Sequence, residues 1–196
     1  MSNAPKYILY TLGMCVFIAV FALPSCKQRY IPKPKGYFRI DLPQHQYQHL
    51  QGSYPYTFQF STQAEISERV APDEKFWIDI IYPSINAKIH CSYKPVEDNL
   101  RELSDDAQGF VYKHSNMANS IPEQGFENEV DKVYGVLYEL KGNTASPAQF
   151  YLTDSTQHFF RAALYFDCIP NSDSLLPVFE YVEQDIRHLI ETFKWK

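Results

Sequence analysis

Two runs of residues near the C-terminal end constrain the fold more than any other feature of the chain. From His158 to Cys168, the residues at every second position are apolar: Phe160, Ala162, Leu164, Phe166 and Cys168. This period of two is typical of a β-strand that buries one face. The shorter run Ala148–Thr153 precedes it, and only residues 154–157 separate the two. A link this short predicts an antiparallel hairpin.

Six further segments have strand-like patterns. They are residues 37–42, 54–60, 76–82, 87–93, 124–130 and 132–141. In 87–93, Ile89, Cys91 and Tyr93 share one face. Segment 76–82 is apolar at almost every position, which predicts a central strand covered on both sides.

Two segments have the apolar spacing of amphipathic helices, residues 98–118 and 174–193. Asp98 or Asn99 can cap the first helix, and Asp173 or Ser174 the second. The order of strands and helices predicts an α+β fold, in which a mainly antiparallel sheet of about six to eight strands is covered by two amphipathic helices.

The N-terminus has the layout of a bacterial lipoprotein signal. An apolar run from Ile8 leads to Leu23, Ser25 and Cys26, spaced as in a lipobox. We therefore predict a signal peptide over 1–25, a lipidated Pro/Lys tether over 26–37 and one α+β domain over 38–196. Acyl chains such as palmitate on Cys26 would anchor the protein in a membrane. The alternative is an uncleaved anchor helix, which also leaves the remainder outside the cytoplasm.

The residues after Cys26 bear on the membrane in which the protein is anchored. No Asp follows Cys26 as an inner-membrane retention signal, and no acidic cluster follows as a surface-export signal. We therefore expect the periplasmic leaflet of the outer membrane. Pro32 and Pro34 stiffen the tether.

Two cysteines remain in the predicted domain, Cys91 and Cys168. Disulfides persist outside the cytoplasm, so a bridge between them is one interpretation. The other is two small buried apolar side chains.

The chain lacks the common catalytic and metal-binding motifs. His45 and His49 are four residues apart, but their surroundings predict a loop without a third ligand. Asp154, Ser155 and His158 lie too close together in sequence for a catalytic triad. We therefore expect no enzymatic activity, cofactor or metal. The net charge of −5 gives no electrostatic basis for nucleic-acid binding.

Ser155 is a candidate site of O-glycosylation. Asp154, Ser155 and Thr156 match the short acceptor pattern of Bacteroidetes, in a segment predicted to be an exposed turn.

Several long stretches resemble one protein family. They are Cys26 followed by Tyr30–Pro43, then Gly142–Ser155, His158–Phe166 and Asn171–Leu175. Together they are similar to the gliding-motility lipoprotein GldD family of Bacteroidetes, over essentially the whole mature chain. The resemblance implies an outer-membrane-associated lipoprotein required for gliding motility, whose partners are other envelope proteins of the gliding and type IX secretion machinery. The order of elements is also similar to the Mog1/PsbP-like fold.

Two hypotheses follow for the role of the domain. The first is a non-enzymatic assembly or stabilising component, with Tyr30, Tyr37, Phe38 and Arg39 as candidate contacts, because Tyr and Arg are enriched in interfaces. The alternative is a periplasmic enzyme or carrier that holds a small ligand in an aromatic pocket.

Overall fold

The computed structural model describes residues 41–69, 75–113, 117–168 and 171–196, except for the side chains of residues 172 and 173. These residues belong to one compact unit, Tyr37–Lys196.

The centre of the unit is a seven-stranded sheet in which every neighbouring pair is antiparallel. Its strands, in spatial order, are β4 (Glu65–Glu68), β5 (Ile78–Tyr82), β6 (Ala87–Pro95), β12 (His158–Phe166), β11 (Ala148–Thr153), β9 (Val133–Glu139) and β8 (Glu123–Asn128). The sheet confirms the predicted fold class, and β11 and β12 form the predicted hairpin.

Among the described residues, three short antiparallel pairs lie outside this sheet. They are β1 (Tyr47–His49) with β3 (Gln59–Ser61), β2 (Tyr56–Thr57) with β13 (Lys194–Trp195), and β7 (Ala118–Ser120) with β10 (Lys141–Gly142). The second pair joins two parts of the chain that are far apart in sequence.

Helices α1 (Leu100–Lys113) and α2 (Ser172–Glu191) cover opposite faces of the sheet. Phe159 packs with Leu103 and Ala107 of α1, whereas Phe160 belongs to the core that contains α2. Successive side chains of a strand point to opposite faces, so the sheet lies between the two helices.

The larger core lies between the sheet and α2 and is rich in aromatic rings. Tyr56 and Phe160 have ring centroids 4.9 Å apart, and Phe160 and Phe193 have centroids 5.1 Å apart. All three are buried. Edge and tilted contacts of this kind add about 0.5–1.5 kcal/mol to the stabilisation from burial alone.

The predicted strand over 76–82 is β5, which begins at Ile78 and lies inside the sheet between β4 and β6, second from the edge. On the α1 face, Trp77 just before β5 and Ile81 within it are only half-buried.

Several predicted boundaries also differ. Segment 54–60 divides into β2 and β3. Helix α1 ends at Lys113, and α2 is capped by Asn171, whose side chain accepts a hydrogen bond from the Ser174 amide, instead of by Asp173 or Ser174. Of the predicted strand 37–42, only Asp41 and Leu42 are described, and neither is in a strand.

The Cys91–Cys168 disulfide is absent, because both thiols are free. Cys91 is opposite Ala162 in the β6–β12 register, and Cys168 follows Ala162 by six residues. That separation is about 20 Å along an extended chain, whereas a disulfide requires Cα atoms within about 7 Å. The expectation of two buried side chains is also half wrong, since Cys91 is buried and Cys168 is exposed.

Candidate functional site

The described chain begins with a segment held against α2, residues 41–50, which we term the N-terminal strap. His45 Nδ1 lies 2.6 Å from Asp185 Oδ1, and the Tyr82 hydroxyl donates to Asp185 Oδ2 at 3.0 Å. The Tyr47 ring stacks on His188 with centroids 3.6 Å apart. Burial raises the pKa of Tyr47 to about 12, with a further contribution from Asp185. These contacts give the strap a structural role.

Asp154, Ser155 and His158 lie together at the β11–β12 turn, but not as a catalytic triad. Asp154 Oδ1 accepts backbone N–H groups from residues 156–158 at 2.8–3.0 Å. Partial burial pushes the pKa of Asp154 upward, but these hydrogen bonds outweigh it and the net shift is downward. The His158 ring contacts the Tyr93 hydroxyl at 2.7 Å and stacks on Trp195. Through its backbone hydrogen bonds, Asp154 therefore stabilises the β11–β12 turn.

The described residues contain neither a metal-binding cluster nor a membrane-spanning helix. No group of three His, Cys, Asp or Glu side chains in the described ranges is close enough to hold a metal ion. None of the described helices has the length and apolar character needed to cross a membrane.

An apolar cavity of about 330 Å³ opens at the first turns of α2, and we term it the α2 cavity. Residues of β7, β10, the β10–β11 loop, the end of β12 and α2 line it, together with Leu140 between β9 and β10. The apolar lining residues are Leu140, Pro147, Phe166, Leu175, Leu176 and Phe179. Leu176 is 40% exposed at the rim. Ligand pockets usually enclose about 300–1,000 Å³, so this cavity matches a small molecule or one or two apolar side chains.

The polar lining of the α2 cavity offers little acid–base chemistry. Lys141 is the charged residue of the described lining, and no carboxylate accompanies it. The Thr144 hydroxyl is already used, since it donates to the Leu140 carbonyl at 3.3 Å. The arrangement can bind an apolar group, and its described lining holds no carboxylate or histidine for acid–base chemistry; besides Lys141 it contains the exposed thiol of Cys168.

A second concavity, of about 190 Å³, lies between α1 and strands β6 and β12, with Arg69 and Trp77 also in its lining. Its charged lining residues are Arg69, Lys94, Asp106 and Arg161, and His90 also lines it. We term it the cationic groove, because three permanent cations line it against one carboxylate.

Arg161 is the most enclosed cation of this groove. Its Nη2 donates to Gln149 Oε1 at 2.8 Å, and its guanidinium lies 4.5 Å from the centre of the Phe110 ring. Burial lowers the pKa of Arg161 from its usual value.

The predicted site residues at the N-terminus lie outside the described residues. These are Cys26 and the candidate contacts Tyr30, Tyr37, Phe38 and Arg39. Ser155 is exposed in the β11–β12 turn, with a positive φ of 66°; its glycosylation stays a prediction. Sequence reasoning missed both concavities, because neither contains a sequence motif.

The sequence matches the family described as gliding motility lipoprotein GldD over residues 27–195. The chain belongs to this family. Family membership confirms the predicted resemblance and assigns the chain a role in gliding motility as a lipid-anchored protein of the cell envelope. No curated protein matches the chain significantly.

Among solved structures, the chain is similar to the solution structure of cyanobacterial PsbP (CyanoP) from Synechocystis sp. PCC 6803. The TM-score is 0.50 at 8% identity, covering 81% of this chain and 98% of that one. This similarity confirms the predicted PsbP-like fold for a GldD family member, and at this identity it concerns the fold alone.

Proposed function

We propose that this GldD family member is a non-enzymatic assembly or stabilising component of the gliding and type IX secretion machinery. In this proposal, lipid on Cys26 anchors it to the outer membrane, facing the periplasm. Family membership supports the role in motility and the lipid anchor. The sorting pattern after Cys26 supports the choice of membrane.

The observation that carries the non-enzymatic role is the chemistry of the α2 cavity. It is concave and apolar, but its described lining has no carboxylate or histidine that could exchange a proton with a substrate. Large pKa shifts occur instead in the packed interior, where burial raises the pKa of Tyr56 and Tyr82. Enzyme sites usually place shifted groups in a cleft.

The α2 cavity supplies a binding surface for a partner protein in this proposal. Its occupant would be a large apolar side chain next to a carboxylate, because the apolar wall has Lys141 as its charged neighbour. Exposed Leu176 extends the apolar contact beyond the cavity itself. Apolar anchors that fill pockets contribute most of the energy in protein interfaces.

Site-specific crosslinking tests this proposal in living cells. A photo-crosslinking amino acid at Leu176 should give a discrete adduct with another gliding or type IX secretion envelope protein. The matched control is Val130, an apolar residue that is 91% exposed in the β8–β9 turn. Equal adducts at both positions, or none at Leu176 in gliding cells, would contradict binding through this cavity.

The alternative function is a carrier of a small apolar ligand, which the volume of about 330 Å³ permits. Native mass spectrometry of protein extracted from membranes would distinguish the two. A bound small molecule that is lost in Leu175→Asp would favour the carrier. Protein without such a ligand would favour the assembly role.

A further inference from the structure

The cationic groove contains an excess of hydrogen-bond donors around Arg161. A guanidinium carries five N–H donors and no acceptor. One of them reaches Gln149 Oε1, and the Phe110 ring covers one face of the group. Within the described chain, no carboxylate forms an ion pair with Arg161. The remaining N–H donors of this half-buried arginine can therefore bind the acceptor oxygens of an anion.

Gln149 adds a second donor without an acceptor. Its side chain is 2% exposed, and its Nε2 has no hydrogen-bond partner. The orientation of the amide is fixed, because Oε1 must face the Arg161 donor. A buried donor without an acceptor is unfavourable, and the contact of Gln149 Oε1 with Arg161 couples this amide to the groove, although Gln149 itself is not among the lining residues.

The other residues of the groove also favour a negatively charged group. Arg69 and Lys94 form no ion pair with described residues. His90 Nδ1 is 2.6 Å from Asp79 Oδ1, so that carboxylate is already engaged. Asp106 on α1 is the acidic residue of the lining. On a chain with a net charge of −5, this concentration of cations is a local exception.

We propose that the cationic groove binds an oxyanionic group, carboxylate or phosphate, through the free donors of Arg161. Both anions present the paired oxygens that a guanidinium binds with two hydrogen bonds. Leu103, Ala107 and Phe159 form an apolar wall beside the site, which suits a ligand that carries its anion on an apolar body. The proposal is independent of partner binding at the α2 cavity.

Titration of two simple anions tests the proposal. Inorganic phosphate and acetate would be added separately to the folded protein at constant ionic strength, since screening alone alters surface charges. NMR signals of the Gln149 side-chain amide and the Arg161 Nε–H would be followed. We expect saturable shifts with at least one anion. Saturation by phosphate alone would assign a phosphate ligand, and saturation by acetate alone a carboxylate ligand.

Three variants locate the site. Arg161→Gln should weaken binding at least tenfold. Gln149→Glu is nearly isosteric and places a carboxylate at the atom that Arg161 already contacts, so it should abolish binding and keep the fold. Arg101→Gln is the control, because it removes one positive charge from the same helix α1 outside the groove. The Arg101 side chain is 95% exposed, and its Nε lies 3.8 Å from Asp105 Oδ2. The proposal would be overturned if the shifts saturate with neither anion or if they persist in Gln149→Glu. It would also be overturned if Arg101→Gln weakens binding as much as Arg161→Gln does.

Discussion

Gly135→Ala should strongly destabilise the protein, because Gly135 lies at a point of close contact between strands. It is in β9, opposite Leu152 of β11. A Cβ at this position would lie 2.0 Å from the Tyr151 carbonyl oxygen and 2.8 Å from Leu152 Cδ2. Nonbonded heavy atoms normally stay about 3.5 Å apart, so β9 and β11 would have to separate by roughly 1 Å or more.

The magnitude follows from two contributions. Overpacking of a tight interior costs about 1–3 kcal/mol. Lengthening one or two hydrogen bonds of the β9–β11 ladder costs about 0.5–1.5 kcal/mol each. We therefore expect the free energy of unfolding to fall by about 3 kcal/mol. For a domain of this size, that corresponds to a decrease in Tm of about 6–12 °C.

Gly125→Ala is the matched control for this experiment. Gly125 is in the edge strand β8, and an added Cβ would have nothing within 4 Å. Its effect should stay within about 0.5 kcal/mol, as for most surface substitutions. Both variants would be compared by urea and thermal unfolding, followed by circular dichroism. A loss below about 1 kcal/mol for Gly135→Ala, or equal losses for both variants, would refute the reasoning.

Three further predictions concern processing, thiols and pH. Cys26→Ser should leave an unlipidated precursor that keeps residues 1–25; normal maturation and membrane fractionation of this variant would show that the lipobox interpretation is wrong. In the native lipidated protein without reductant, a maleimide should label Cys168 alone. Cys91 should react only after unfolding, because burial shields Cys91 and raises the pKa of its thiol. Mass spectrometry would count the adducts, and no adduct after unfolding would indicate a disulfide. Burial and the hydrogen bond to Glu68 raise the pKa of Tyr54 from 10.0 to about 12, so its contribution to stability is present below pH 10 and is lost as pH rises through 12. Tyr54→Phe should therefore lose less stability than the wild type between pH 10 and 12 in urea unfolding, and equal losses would argue against this assignment.

The elements with long, regular apolar patterns were predictable from the sequence. Segment 148–153 became β11 with the predicted bounds. In α2, Val182, Ile186 and Leu189 of the predicted amphipathic helix 174–193 are buried. In these elements the local pattern and the final burial agree, because each packs one complete face against the same core.

The short elements were not predictable, because partners distant in sequence determine them. β2 and β13 are two residues each, and each is a strand only through pairing with the other. β4 carries a single apolar residue, Ile66, since an edge strand with one covered face needs few. The apolar pattern of segment 76–82 does not give the position of β5 within the sheet. A strand face that is half-buried by a few side chains shows the same pattern as one fully covered by a layer.

Both concavities were beyond the reach of sequence reasoning. The α2 cavity combines residues near 119, 140–147, 166–168 and 171–179. The cationic groove joins α1 to β6 and β12, which are far apart in the chain. Neither contains a motif, so their positions depend on strand order and register.

The N-terminal strap also determines how the folded unit would respond to pulling. A lipid on Cys26 would transmit mechanical load to the described chain through this strap. Among the contacts that would bear it are the His45–Asp185 contact and the three residue pairs between β1 and β3. These can peel away one after another while the seven-stranded sheet keeps all of its own pairings. A pull through the strap would therefore break these contacts, which can form again, before it disturbs the core.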